Sequence, residues 1–263
     1  MNNQQNTLTS HFKSVYNKIK EFYYNNPQNL ISIISAFLLV LIIRFILLSI
    51  DTIFLADDYS AQYIIFLVST WLLVTGIEIG YTKFIFNKID NKTVKISDLF
   101  NYFDILPRYI LGAFLNLIII FASILPAIIF VYYKYGPQLL TTIFDSINDP
   151  YYKELIDSYF NSSDVIIIFS LILIPLIFIQ LRLCFFNFYI IDKEDSVINA
   201  MKKSWIISEH YILNILIYFL IFVAFNLLGM LTIVGIFFTA PISYLFFCIY
   251  FRFVNNNLKK HVK

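Results

Sequence analysis

Residues 211–253 read YILNILIYFLIFVAFNLLGMLTIVGIFFTAPISYLFFCIYFRF, and Arg252, almost at the far end, is the only charge in the run. A single helix of this length would extend ~65 Å at ~1.5 Å per residue, about twice the hydrocarbon thickness of a bilayer. Two spans must therefore meet inside the run. Gly229 and Gly235 mark the place, which gives spans 211–230 and 233–253. If that split failed, one of the two would be a re-entrant segment and the C-terminus would change side.

Working outward, four more apolar runs of span length precede this one, at about 30–50, 61–83, 109–133 and 165–190. The expected fold is all-α, a polytopic bundle of six transmembrane helices. Composition agrees: 59% of the 263 residues are hydrophobic and 14% charged, too apolar a balance for a soluble domain of this size to bury. Around the spans, 1–29 reads as an N-terminal segment with an amphipathic helix and 254–263 as a basic tail. Tyrosines 132, 133, 135, 151 and 152 fall near predicted interfaces, as in an aromatic belt. The first apolar run follows a long polar stretch and has no small-residue cleavage site after it, so it reads as a span and not a signal peptide.

Charge tests the topology independently. With both termini in the cytoplasm, sixteen of the nineteen Lys and Arg lie on the inner side, Lys134 and Lys153 lie outside, and Arg44 sits within a span. That asymmetry follows the positive-inside rule and would be scrambled by shifting one span. The Ile-, Asn- and Lys-rich vocabulary suggests a bacterial protein from an AT-rich genome, and the expected location is the bacterial inner membrane. A net charge of only +2, dispersed along the chain, excludes a nucleic-acid-binding surface.

Three inner segments have amphipathic spacing. In 8–23 the apolar set is Leu8, Phe12, Val15, Tyr16, Ile19, Phe22 and Tyr23; in 97–106 it is Leu99, Phe100, Phe103 and Leu106; in 196–208 it is Val197, Met201, Trp205 and Ile206. Each precedes an outward-going span and reads as an interfacial elbow helix. Pro27 and Pro107 stand at two of the joints. Elbow, span, span thus occurs three times, at about 8–83, 97–190 and 196–253. It reads either as a parallel threefold repeat about the membrane normal or as one solution reached three times.

Ionisable residues at membrane depth are costly and mark pairs or functional sites. The candidate intramembrane polar network is Arg44, Glu78, Gln180, Arg182 and Arg252. Glu78, Arg182 and Arg252 sit 17 or 18 residues from the outer starts of their spans, so Glu78 is expected to pair with Arg182 or Arg252. Arg44 is expected to snorkel outward near Asp51, and Gln180 and Asn187 to bond across helices. Pro126, Pro175 and Pro241 lie inside spans. The acidic external stretch 134–164 matches no calcium loop.

No enzyme motif is present: no P-loop, no glycine-rich dinucleotide fingerprint, no His-Glu-x-x-His and no Gly-x-Ser-x-Gly. The histidines, His11, His210 and His261, are far apart, and Cys184 and Cys248 lie in apolar runs. The expectation is therefore no catalytic residue, no metal and no cofactor.

From Arg182 onward the run RLCFFNFYIIDKEDSVINAMKKSWIISEHYILNILIYF resembles the signature of a large bacterial family of six-span proteins. That family is related to the membrane domain fused to glycerophosphodiester phosphodiesterases. Arg182, Asp192, Lys202, Ser204 and Trp205 carry the likeness, and GMLTIVGIFFTAP, with Gly229, Gly235 and Pro241, matches its turn between the last two spans. The resemblance covers about 182–253 and implies topology; in fused members the hydrolase is a separate soluble barrel, so no catalytic residue carries over. The functional expectation is a non-catalytic protein that organises membrane lipid or a membrane-protein partner. The alternative is a small transporter or exporter that uses polar residues in kinked spans.

Overall fold

The structure, a computed structural model, describes residues 2–25, 27–54, 61–136, 161–232 and 234–261. Regular structure among them is entirely helical. The helices are α1 (Asn2–Asn25), α2 (Pro27–Phe54), α3 (Ala61–Ile89), α4 (Leu106–Tyr135), α5 (Ser162–Leu183), α6 (Phe186–Lys193), α7 (Val197–Met230) and α8 (Ile236–His261). Two 3-10 turns, Ile96–Phe100 and Phe103–Ile105, connect α3 to α4. Six stretches are long and apolar enough to cross a bilayer: Pro27–Ile50, Ala61–Ile89, Ile96–Tyr135, Ser162–Lys193, Val197–Met230 and Ile236–Asn257. The protein is an all-α, polytopic membrane bundle, and each stretch falls on an expected span.

Part of the reading lies outside what is described. This holds for 137–160, with Tyr151, Tyr152, Lys153 and the acidic residues Asp145, Asp149, Glu154 and Asp157. It also holds for the side chains of Leu8, His11, Phe12, Asp51 and residues 258–263.

The divided run behaves as expected, since α7 ends at Met230 and α8 begins at Ile236. The glycines explain how. A Cβ on Gly229 would stand 2.1 Å from Thr239 Oγ1, and one on Gly235 would stand 2.6 Å from the Gly229 carbonyl oxygen. Thr232 stitches the turn, donating to the Gly229 carbonyl at 3.1 Å and accepting from the Gly235 N–H at 3.1 Å.

Packing separates the chain into two units, Met1–Gly112 with Cys184–Lys263, and Ala113–Leu183. In unit one the core is aromatic. Phe84, Phe86, Phe185, Tyr250 and Phe251 are each under 2% exposed. Phe251 stands at the centre, its ring 5.1 Å from Tyr189, 5.4 Å from Phe188, 5.5 Å from Phe185 and 5.7 Å from Phe86. Such pairs add roughly 0.5–1.5 kcal/mol each beyond area burial. Burial is concentrated toward one end of the helices. In α3 it begins at Thr75, with no buried residue over 61–74, and in α8 it is unbroken from Cys248 to Asn255. In unit two, the start of α5 is tied to the end of α4 by Asp164, which accepts from Lys134 Nζ and from the Tyr135 hydroxyl.

The three elbows take three forms. The first is α1, which breaks before Pro27, the opening residue of α2, where a missing N–H costs nothing. Val15 is its buried anchor, while Tyr16 and Tyr23 of the expected apolar face are 63% and 52% exposed. The second is not an α-helix. Asp98 accepts from the Lys95 N–H at 2.8 Å and holds a 3-10 turn, whose Leu99 is fully buried. This segment lies directly on α3: a Cβ on Gly80 would come within 1.9 Å of the Leu99 carbonyl oxygen, and one on Gly76 within 2.2 Å of the Phe103 ring.

The third elbow is continuous with α7. Its joint is Tyr211, at φ −126° and ψ 15°, the residue at which the fifth span was expected to begin. The buried face differs from the predicted one. Val197 is buried, but the others are Ala200, Ser204, Ile207 and Ser208, while Ile198, Trp205 and Ile206 are exposed. Close packing over the turn between α5 and α6 selects the small residues. There the Phe185 N–H, released by the helix break, donates to Ser204 Oγ at 3.1 Å. Ser204→Ala should therefore cost about 1–2 kcal/mol, because it orphans a buried amide. Chemical unfolding in detergent micelles checks this, with exposed Lys202→Ala as the neutral comparison.

Candidate functional site

Two constellations stand out in unit one. The first is a cleft of about 440 Å³ lined by α2, α3, the start of α4, the α5–α6 turn with α6, and α8. Helical spacing builds its polar floor: Glu78 and Thr82 are four residues apart and share a face of α3. Arg44 of α2 reaches Glu78 at 3.3 Å, with the two side chains 57% and 47% exposed. Thr82 places its hydroxyl 3.0 Å from the Glu78 carbonyl and 2.8 Å from the Tyr244 hydroxyl. Since Thr82 has one proton to give and gives it to the carbonyl, the tyrosine donates the second bond. Tyr81 Oη and Asn187 Oδ1 are buried and have no hydrogen-bond partner among the described residues, and both residues line the cleft. Phe37, Phe188 and Phe247 supply an aromatic wall. The result is a largely apolar chamber with an ion pair, and two of its lining residues carry an unmatched polar atom buried behind the wall, all inside candidate spans. A cleft with an aromatic wall and a few polar side chains, here Arg44, Glu78 and Thr82, suits a ligand with both polar and apolar parts.

The second constellation is an ion clamp. Arg252 of α8 grips Asp192 at the end of α6 with both Nη atoms, at 2.5 and 2.7 Å, and Nη2 also reaches Asp90, just past α3, at 2.7 Å. The guanidinium lies over the Phe86 ring at 4.8 Å. Asp192 also meets Lys193 Nζ at 2.5 Å. Nearby, Lys83 donates to the carbonyls of Ile191 and Asp192 at 3.1 and 3.2 Å, and Arg108 to that of Glu194 at 2.8 Å. Glu194 sits at φ 55° and caps α6. The side chains of Arg252 and Asp192 are 11% and 6% exposed, so the clamp is a structural tie between α3, α6 and α8.

The expected network is thus regrouped. Glu78 pairs with Arg44, not with Arg182 or Arg252; the Asp51 side chain, toward which Arg44 was expected to snorkel, lies outside the described residues. Arg252 is occupied by Asp90 and Asp192, two carboxylates nearer the charged end of the helices than Glu78. Arg182 and Gln180 belong to unit two. Arg182 is buried, with its guanidinium 5.7 Å from the Phe178 ring centre, and Gln180 Nε2 is buried without a hydrogen-bond partner among the described residues. The acids that meet Arg252 are Asp90 and Asp192, at the ends of their helical stretches, and not Glu78 further along α3. Asp90 and Asp192 each follow an isoleucine at the end of a helical stretch, and that shared position was the available signal.

Of the family-like residues, Asp192 anchors the clamp, Ser204 holds the Phe185 amide, and Gly229 and Gly235 make the α7–α8 turn. Pro241 is buried inside α8, while Lys202 and Trp205 are exposed. Among the described residues, no three His, Cys, Asp or Glu side chains converge to hold a metal ion. No family model, curated protein or solved structure matches the chain. Fold and site together define its class, a multi-pass helical membrane protein with a partly polar cleft among its spans.

Proposed function

We propose that this protein is a non-catalytic organiser of membrane lipid, and that it binds an amphiphile in the Arg44–Glu78 cleft. The observation that carries this reading is the pairing, in one chamber, of an aromatic wall with a half-exposed ion pair. A phospholipid answers both demands. The distribution of Lys and Arg supports insertion in a bacterial inner membrane with both termini cytoplasmic. The likeness of 182–253 to the six-span family related to the glycerophosphodiester phosphodiesterase membrane domain is in keeping with a lipid-facing role and supplies no catalytic group. Organisation of a partner protein would then act through the bound lipid.

Native mass spectrometry of the protein ejected from its own membrane vesicles tests the reading. The wild type should retain lipid. Arg44→Gln and Glu78→Gln should each reduce occupancy about tenfold, because a hydrogen bond to a charged group contributes ~1.5–3 kcal/mol. Lipid-free wild-type protein, or occupancy indifferent to both substitutions, would sink the proposal. The cleft's reach to Glu78 also favours a second reading, transport of a small polar solute. Solute flux into proteoliposomes that Glu78→Gln abolishes, with no lipid retained, would establish that reading instead.

A further inference from the structure

The geometry points to a second site, for a zwitterionic phospholipid bearing a primary ammonium headgroup, held between α1, the end of α3 and α8. It deepens the lipid-binding reading and rests on it, but uses none of the cleft's residues.

Two cavities share a wall there. One, of about 340 Å³, is mainly apolar and is lined by Tyr16 and Tyr23 of α1, Leu30 of α2, and Leu245 and Phe246 of α8; Lys20, its one charged residue, lies 5.6 Å from the Tyr24 ring centre. The other, of about 300 Å³, is polar and is lined by Lys18, Glu21, Asp90, Asn91, Arg252 and Asn256. Phe22 and Ile249 line both. Measured along α8, the pair runs from Ile242 in the apolar groove to Asn256 in the polar one. Fourteen residues of helix make ~21 Å, about the depth of one leaflet with its headgroup layer. The polar cavity lies at the charged end of the helices and the apolar one toward the middle, the order in which a phospholipid places headgroup and chain.

Charge selects the headgroup. Arg252 and Asp90 are matched to each other at 2.7 Å, and Asp192 takes both Nη atoms, which leaves only Nε, a buried atom without a hydrogen-bond partner among the described residues. Lys18 and Glu21 remain, three residues apart on one face of α1. The Lys18 ammonium lies 5.3 Å from the centre of the Phe253 ring, and Glu21 makes no hydrogen bond or ion pair with another described side chain. The polar cavity thus offers Lys18 for a phosphate, backed by Lys20 in the adjoining groove, and Glu21 for an ammonium, with part-exposed Asp90 as a second acceptor. A phosphatidylglycerol headgroup would meet Glu21 and Asp90 with no cation of its own. A choline headgroup has no N–H to donate. An ethanolamine headgroup fits both demands.

The full-length protein, reconstituted in vesicles of equal parts phosphatidylethanolamine, phosphatidylglycerol and phosphatidylcholine, is released for native mass spectrometry. The wild type should retain phosphatidylethanolamine about tenfold over the other two, as one charge-assisted hydrogen bond would give. Glu21→Lys should invert the preference toward phosphatidylglycerol. Leu245→Trp, which fills the groove and leaves the charges in place, should remove the lipid. Glycerophosphoethanolamine, the same headgroup without chains, should not displace it; if it does, the site is one for a soluble headgroup compound and the lipid assignment fails. An unchanged ethanolamine-to-glycerol ratio in Glu21→Lys also overturns the proposal. Arg44→Gln separates the two readings: it should lower cleft occupancy about tenfold and leave this ratio intact, whereas loss of all lipid on Arg44→Gln would place every bound molecule in the cleft and none at α1.

Discussion

Arg252→Leu is expected to destabilise the protein by about 3–5 kcal/mol, the penalty for leaving buried charge without its partner. Two carboxylates depend on that guanidinium, and Asp192 is only 6% exposed. Removing the cation strands Asp192 in the buried interior, with Lys193 as its remaining contact, and leaves part-exposed Asp90 without its base. Arg252→Lys should recover part of the loss, since an ammonium keeps the charge but cannot grip Asp192 with two parallel bonds. Combining Arg252→Leu with Asp192→Leu should be milder than Arg252→Leu alone, because the buried acid is removed along with its base. Equilibrium unfolding in bicelles, read by tryptophan fluorescence or by trapping of the unfolded form, supplies the numbers. Equal stability for wild type and Arg252→Leu would show that the clamp is ornamental.

Gly80→Leu should cost 3 kcal/mol or more, at or above the usual ~1–3 kcal/mol range for overpacking. Its first side-chain carbon would already fall 1.9 Å from the Leu99 carbonyl oxygen. A backbone oxygen inside a 3-10 turn cannot swing aside as a side chain can, so the whole Ile96–Phe100 segment would have to lift off α3. Gly76→Ala provides the contrast. Its obstacle is the Phe103 ring, which is 36% exposed and free to rotate, so the loss should be about 1 kcal/mol. A Gly80 variant as stable as Gly76→Ala in the same bicelle assay would refute the close approach.

Much of the architecture is legible in the chain because the bilayer imposes it. Spans follow from run length, and the division of 211–253 follows from thickness together with two glycines. The Tyr211 joint was readable as the point where amphipathic spacing gives way to continuous apolarity. The side-chain partners were not. Which spans touch depends on packing between helices distant in sequence, and Arg252 meets acids 60 and 162 residues away. Gly76 and Gly80, four apart on α3, did carry a signal for close backbone approach. The second elbow's 3-10 form rests on one carboxylate, Asp98, turning back to the Lys95 amide, a local choice that amphipathic spacing does not reveal. For the cleft, polar residue types in spans 1 and 2 pointed to Arg44 and Glu78 separately, while their meeting with Tyr244 and Asn187 needed the fold.

The clamp also has a calendar. Asp90 is polymerised 162 residues before Arg252. At ~5–20 residues per second the ribosome needs roughly ten to thirty seconds to cover that interval. During it α2 and α3 leave the ribosome while the base that secures Asp90 has yet to be made. Unit one is thus assembled from the two ends of its own synthesis, and the nascent chain must wait in the membrane with unmatched acid until α8 arrives.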